Sequence, residues 1–264
     1  MEIEYFGYFG AILIGLVLGL IGGGGSILTV PILVYIMAIS PEKATAYSLF
    51  VVGTTALVGA IRNMQKKMID YKTGIVFAIP AFIAVYLTRK FLLPIIPTEI
   101  ISIGSFTLTK DLFIMIFFAI IMLVASISMI KGRKDSAGEK NKKFNYPLII
   151  LEGLLVGVVT GLIGAGGGFL IIPALVLMAG LPMKKAVATS LLIIAIKSLI
   201  GFIGDVQNMD IEWPFLLTFT GISVVGIFLG IYLNKFIDGK KLKKGFGYFV
   251  LIMGVYIILK ETIL

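Results

Sequence analysis

The chain has 264 residues, of which 59% are hydrophobic and 14% charged, where a soluble domain carries about 25% charged residues. It contains neither cysteine nor histidine, which excludes disulfides, thiolate nucleophiles, imidazole-held metals and any Ser-His-Asp triad. The formal charge of +9 invites a nucleic-acid reading, but lysines gathered in the cytoplasmic loops of a membrane protein explain it better, and no nucleic-acid partner is expected.

The N-terminal stretch MEIEYFGYFG has no basic region of the kind that opens a cleaved signal peptide. Long, nearly uncharged apolar segments then recur along the whole chain and read as transmembrane helices. In the first half they cover residues 6–21, 26–38, 44–61, 72–90 and 111–131. The longest polar run follows, KGRKDSAGEKNKKFNY from Lys131 to Tyr146. In the second half the segments are 147–163, 168–180, 186–204, 213–235 and 245–262. The division expected from this plan is a first membrane repeat (1–131), a basic cytoplasmic linker (132–146) and a second membrane repeat (147–264).

The halves are repeats of one design. Gly19–Pro31 reads GLIGGGGSILTVP and Gly161–Pro173 reads GLIGAGGGFLIIP, identical at eight of thirteen positions at an offset of 142 residues. At the same offset Gly15 matches Gly157, Ala44 matches Ala186, Ser48 matches Ser190, Leu49 matches Leu191 and Gly59 matches Gly201. An internal repeat of this length decides the fold class. With the N-terminus outside and the segments alternating, only Lys43, Arg89, Lys90, Lys110 and Lys260 fall outside, and Lys197 stays within a helix. The other lysines and arginines lie inside, as the positive-inside rule demands. Each half crosses an odd number of times, five if the short arms span and three if they form a re-entrant hairpin, so the second half is inverted. The expected fold is therefore an all-α polytopic membrane protein of two inverted-topology repeats, each of about five hydrophobic segments, with Gly-rich breaks between short helices at the repeat interface. Both termini are expected outside and the linker in the cytoplasm.

The glycine runs carry the functional reading. Irregular backbone inside a membrane is tolerated only where protein or a water-filled cavity satisfies it. A tight glycine turn lets another backbone or a ligand come close. Each turn opens a new helix, with Ser26 a plausible N-cap in the first half. Helix N-termini attract anions, and inversion brings two of them together from opposite sides. The candidate anion site is therefore Gly23, Gly24, Gly25 and Ser26 with Gly166, Gly167 and Gly168. Helix packing is the competing use of glycine, and it fits the spaced pairs Gly15/Gly19, Gly157/Gly161 and Gly226/Gly230 better than a consecutive run. Pro31 and Pro173 lie six residues beyond Gly25 and Gly167. They either kink the helix for packing or free the carbonyls of Ile27 and Phe169 for a cation or water.

Polar residues within the segments complete the candidate set. Lys197 is read as the one basic residue inside a span. A central lysine costs roughly 2.5–3.5 kcal/mol to insert, so it faces a cavity as a counter-ion to the transported anion, or snorkels to the outer surface. Glu152, the one carboxylate inside a span, either carries a coupling proton or pairs with a cytoplasmic lysine. Ser48, Thr189 and Ser190 sit at equivalent places in the two halves and are oxyanion donors or quiet packing residues. Arg62, Asn63, Asp205, Gln207 and Asn208 mark helix ends and read as gate or surface residues, and Asp70 and Asp210 as residues of solvated loops.

On these residues the chain resembles the sulfite exporter TauE/SafE family of membrane permeases. The paired GLIGxGGG…P stretches and the segments ATAYSL (Ala44–Leu49) and AVATSL (Ala186–Leu191) carry the resemblance over nearly the whole chain. GDVQNMDIEW (Gly204–Trp213) looks like the family's aromatic-bearing lead into the next helix. In the first half TTALVGAIRNMQKKMIDY stands where the second has KSLIGFIGDVQNMDIEW, so the pocket need not be symmetric. The resemblance implies a plasma-membrane permease for a small anion, with sulfite and organosulfonates among the family's substrates. The expected function is a secondary transporter working by alternating access, with the lipid bilayer and a small anion as its partners, no cofactor and no metal. A proton is the candidate coupling ion. An oligomer is compatible with the spaced glycines, though the interface between the halves claims them first. The alternatives are an anion channel or an intramembrane hydrolase using Ser48 or Ser190 with Lys197 as base. The hydrolase requires a serine Oγ within hydrogen-bond reach of the lysine amine.

Overall fold

The computed structural model describes residues 2–23, 25–103, 106–131, 146–177, 179–234, 236 and 239–263. Almost all of the expected linker lies outside the described residues, as does Gly24. The first half comprises α1 (Glu2–Ile21), α2 (Ser26–Pro31), α3 (Pro41–Gln65), α4 (Tyr71–Leu87), the single turn α5 (Leu93–Ile95) and α6 (Lys110–Lys131). The second comprises α7 (Tyr146–Ile163), α8 (Gly168–Leu177), α9 (Met183–Val206), α10 (Trp213–Leu233) and α11 (Gly239–Ile263). Every expected hydrophobic segment is helical over most of its described length. Two wider π turns, Ile32–Ile36 and Thr88–Leu92, extend α2 and α4. The first follows Pro31, whose missing N–H breaks the regular ladder. Between α5 and α6 lies an unforeseen antiparallel hairpin of β1 (Glu99–Ile103) and β2 (Phe106–Thr109).

Five described helices are long and apolar enough to cross a membrane: α3, α4 with its extension to Ile95, α6, α9 and α10. The bilayer-facing surface is legible on α4, where Tyr71, Ile75, Ile79, Ile83, Leu87, Phe91 and Ile95 form an exposed stripe at intervals of four. Such a contiguous apolar stripe suits lipid rather than water. The two most deeply buried spans, α3 and α9, pack on one another at the centre.

Equivalent helices make equivalent contacts. Helix α1 packs on α10 while α7 packs on α4, α10 packs on α3 while α4 packs on α9, and α6 pairs with α11. The correspondence extends to single residues. A Cβ on Gly59 would meet Ile227 and Leu191, and one on Gly201 would meet Val85 and Leu49, the residues 142 positions earlier. Gly15 lies against the Ser223 carbonyl and Gly157 against the Ala81 carbonyl. These close backbone approaches are the spaced glycines at work as packing residues.

In the first half the glycine turn makes an antiparallel hairpin. Gly25 lies against Ile14 and Leu18 of α1, Ile32 against Gly10, and Met37 against Gly7. The chain therefore returns along α1 to the end from which it came.

Candidate functional site

The two glycine turns touch. A Cβ on Gly23 would lie 2.1 Å from the Gly168 Cα, and one on Gly168 would lie 2.1 Å from the Gly23 Cα. Gly22 and Gly164, which correspond in the repeat, both turn the chain with positive φ (+87° and +66°), a conformation glycine adopts without penalty. Each packs on the central helix of the other half: Gly22 against Val187 of α9, and Gly164 against Thr45 of α3. These positions also correspond. The symmetry ends at Gly167, which has φ +67°, whereas its counterpart Gly25 is helical with φ −63°.

The walls of this junction are one face each of α3 and α9. Thr45 meets Gly164 and Val52 meets Gly166, and Ser48, three residues beyond Thr45 and four before Val52, shares their face. On α9, Val187 meets Gly22, Ile194 meets Gly166 and Gly168, and Lys197 meets Gly167. The Lys197 Nζ would stand 3.0 Å from a Cβ on Gly167.

Lys197 is completely buried and its Nζ donates to Thr160 Oγ1 at 2.7 Å. It does not snorkel. Thr160, also buried, donates in turn to the Val156 carbonyl. Lys197 thus pairs with a threonine and not with either serine of the hydrolase alternative. The Ser190 Oγ donates to the Val187 carbonyl at 2.8 Å, and the enclosed Ser48 Oγ has no hydrogen-bond partner among the described residues. Thr29 Oγ1 on α2 and Ser198 Oγ beside Lys197 are enclosed and unpartnered in the same way. Buried hydroxyls without partners are uncommon and ask for a reason.

Other expected site residues are placed differently. Gly25, not Ser26, is the N-cap of α2, and the Ser26 Oγ donates back to the Gly23 carbonyl at 2.8 Å. Ser26 therefore braces the turn instead of capping the helix. Thr189 is drawn away to α4: its Oγ1 accepts the Asp70 N–H at 3.0 Å and its methyl faces Gly74. Asp70 caps α4 through the Thr73 N–H. Pro31 is buried in α2 and Pro173 lies within α8. Glu152 is half-buried, and its enclosed Oε2 has no hydrogen-bond partner among the described residues, neither a lysine nor any other group.

Sequence reasoning missed one charged pair. Lys197 is not the only basic residue enclosed in a span. Arg89, expected outside, is fully buried in the π turn Thr88–Leu92. Its Nη1 donates to Thr45 Oγ1 at 3.0 Å and lies 3.4 Å from Asp205 Oδ2. Asp205 is 1% exposed, so it is an interior residue and not a surface helix end. The signal for Arg89 was the apolar FLLPII that follows it, which prolongs the span beyond the charge.

The family model for the sulfite exporter TauE/SafE matches residues 8–257. A probable membrane transporter protein of Xylella fastidiosa is 27% identical over 252 residues, covering 93% of this chain and 91% of the relative. The probable membrane transporter protein YunE of Bacillus subtilis is 28% identical, covering 94% and 93%. The probable membrane transporter protein MJ0441 of Methanocaldococcus jannaschii is 38% identical over 42% of this chain. No solved structure matches the chain.

Proposed function

Because the chain belongs to the sulfite exporter TauE/SafE family, we propose that this membrane transporter is a secondary permease for a small oxyanion, sulfite or an organosulfonate, that binds where the two glycine turns meet. One observation carries the reading: Gly23 and Gly168 are in backbone contact, and the buried ammonium of Lys197 stands beside Gly167 at the start of α8. At the start of α8 the Leu170 and Ile171 N–H groups donate to the Gly167 carbonyl, whereas those of Gly168 and Phe169 precede the first helical bond, and with the lysine they make an electropositive site for an anion. Ser48 adds a hydroxyl donor on the facing wall.

The reciprocal packing of the halves supports an inverted repeat. The first glycine hairpin returns to its own side, so α3, α4 and α6 are the crossings of the first half. Three crossings invert the second half. By the repeat, α7 and α8 make the corresponding hairpin, and two hairpins that enter from opposite faces and touch at their tips meet near the midplane, where secondary transporters hold their substrates. Alternating access follows from rocking α3 and its hairpin against α9 and its own. The termini lie outside and the linker in the cytoplasm. Glu152, whose Oε2 has no partner among the described residues, is the candidate coupling carboxylate.

The test is flux in proteoliposomes, offering sulfite, sulfate, sulfoacetate and simple carboxylates with and without a pH gradient. Saturable, gradient-driven sulfite or sulfonate flux is expected. A conductance far above carrier rates would replace the permease with a channel, and no flux of any of these anions would remove the oxyanion assignment.

A further inference from the structure

Burying an arginine without satisfying it is costly, because the guanidinium carries five donors that can only donate and an unpaired buried donor loses its hydration for nothing. Arg89 meets this condition. Its side chain is fully buried. Only Nη1 has partners, Thr45 Oγ1 and the Asp205 carboxylate, and the enclosed Nε and Nη2 have none among the described residues. The contact with Asp205 is itself loose. Nη1 lies 3.5 Å from Oδ1 and 3.4 Å from Oδ2, whereas a tight charge-assisted bond measures about 2.7–2.9 Å. Asp205 Oδ2 accepts no hydrogen bond among the described residues.

The free nitrogens are not scattered. Nε and Nη2 form one edge of the planar guanidinium, whose two parallel N–H groups match two oxygens of a single carboxylate, sulfonate or sulfite group. Thr45, the residue that holds Nη1, is the residue of α3 that packs on Gly164. Arg89 therefore stands behind one end of the second glycine turn, and Lys197 stands at its other end, against Gly167. Asp205 follows Lys197 by eight residues on α9, about 12 Å along the helix axis. Neighbouring charges close the outer side. Lys110 pairs with Glu42 at 2.6 Å, the Glu42 N–H is accepted by Asp111, and Lys43 pairs with Glu212.

We propose that the Nε/Nη2 edge of Arg89 is a second oxyanion subsite, distinct from Lys197, which receives the anion on its way to or from the glycine junction. Asp205 competes for the guanidinium by charge and not by position, since its carboxylate meets Nη1 and leaves the Nε/Nη2 edge free. The inference rests on the reading of the chain as an oxyanion permease. Geometry assigns the ligand class: a group with two oxygens about as far apart as two guanidinium nitrogens, and not a halide, which cannot use both N–H groups in parallel.

The experiment is calorimetric titration of the purified full-length protein with sulfite, sulfoacetate and chloride, beside proteoliposome flux of the same anions. Asp205→Asn removes the competitor, and the expected result is several-fold tighter sulfite and sulfoacetate binding with no gain for chloride. The double variant Arg89→Gln/Asp205→Asn replaces the charged pair by a neutral one, which relieves the burial of charge. It is expected to elute as the wild type on gel filtration and to bind the oxyanions at least tenfold more weakly. If the double variant binds within twofold of the wild type, Arg89 serves only to neutralise Asp205 and the subsite is overturned. Should the double variant not fold, Asp205→Asn decides alone: unchanged or weaker oxyanion binding overturns the proposal. Wild-type flux with unaltered affinities in the variants removes the subsite and leaves the permease. Absence of wild-type binding and flux for both oxyanions removes both.

Discussion

Gly23 and Gly168 come from opposite halves of the chain and leave no room between them for a single methyl group, since a Cβ on either falls 2.1 Å from the other's Cα. The obstacle in each case is backbone, which cannot rotate out of the way. Gly23→Ala and Gly168→Ala are each expected to cost about 1–3 kcal/mol through overpacking and to abolish flux by parting the turns. Gly221→Ala in α10 is the control. Nothing lies within 4 Å of its would-be Cβ, and the gain in helix propensity is about 0.5–1 kcal/mol. Thermal unfolding in detergent and flux in proteoliposomes measure the two effects. A transporting Gly23→Ala protein of wild-type stability would contradict the contact.

Lys197→Met tests the central cation. The ammonium is fully enclosed and held by one hydroxyl, Thr160. Methionine fills similar space and needs no partner, so the variant should be at least as stable as the wild type, because the desolvation of a buried charge is relieved. Flux of every oxyanion should nevertheless fall at least tenfold. Thr160→Val acts in the opposite sense. It leaves the lysine without its acceptor and should lower stability by about 1–3 kcal/mol. Unaltered flux in Lys197→Met would assign the lysine to packing alone.

Ser48→Ala separates the cost of a site from its use. The enclosed Ser48 Oγ has no partner among the described residues, and an unsatisfied buried hydroxyl costs about 1–3 kcal/mol. Alanine should therefore raise the unfolding temperature while weakening anion affinity severalfold, read as a higher KM at constant protein in the liposomes. Ser190→Ala should show less gain in stability, because the Ser190 Oγ already donates to the Val187 carbonyl. Equal behaviour of the two variants would remove Ser48 from the site.

Much of the architecture was legible because the bilayer writes its constraints in composition. Long apolar runs gave the helices, and the recurrence of GLIGGGGSILTVP as GLIGAGGGFLIIP gave the two halves. The burial of Lys197 was legible for the same reason, since a charge in an apolar run must find an interior. Arg89 was not. It stands next to Lys90 near the apparent end of its segment, where charges mark an interface. The π turn Thr88–Leu92 carries the helix past it, and the one trace of this in composition, the apolar FLLPII beyond Lys90, stands behind two adjacent charges. Ser26 misled through a general preference: serine favours N-caps, but here the chain puts Gly25 in that place and uses the hydroxyl to brace Gly23. Thr189 misled because it adjoins Ser190, the counterpart of Ser48, while its actual partner, the Asp70 N–H, lies 119 positions away in sequence.

Sidedness is open to direct test because the chain has no cysteine, so any single introduced thiol is unambiguous. Lys43 and Glu212 are joined by a salt bridge and so share one end of the molecule. Lys66 follows the far end of α3, whose 25 residues extend about 37 Å, more than the roughly 30 Å hydrocarbon core. Glu212→Cys should be labelled in intact cells by a membrane-impermeant maleimide, and Lys66→Cys only after permeabilisation. The opposite pattern would turn the molecule over and leave the pairing of its halves intact. Labelling of both from the same side would mean that α3 does not cross. The count of three crossings would then fail, and with it the proposed inversion of the second half.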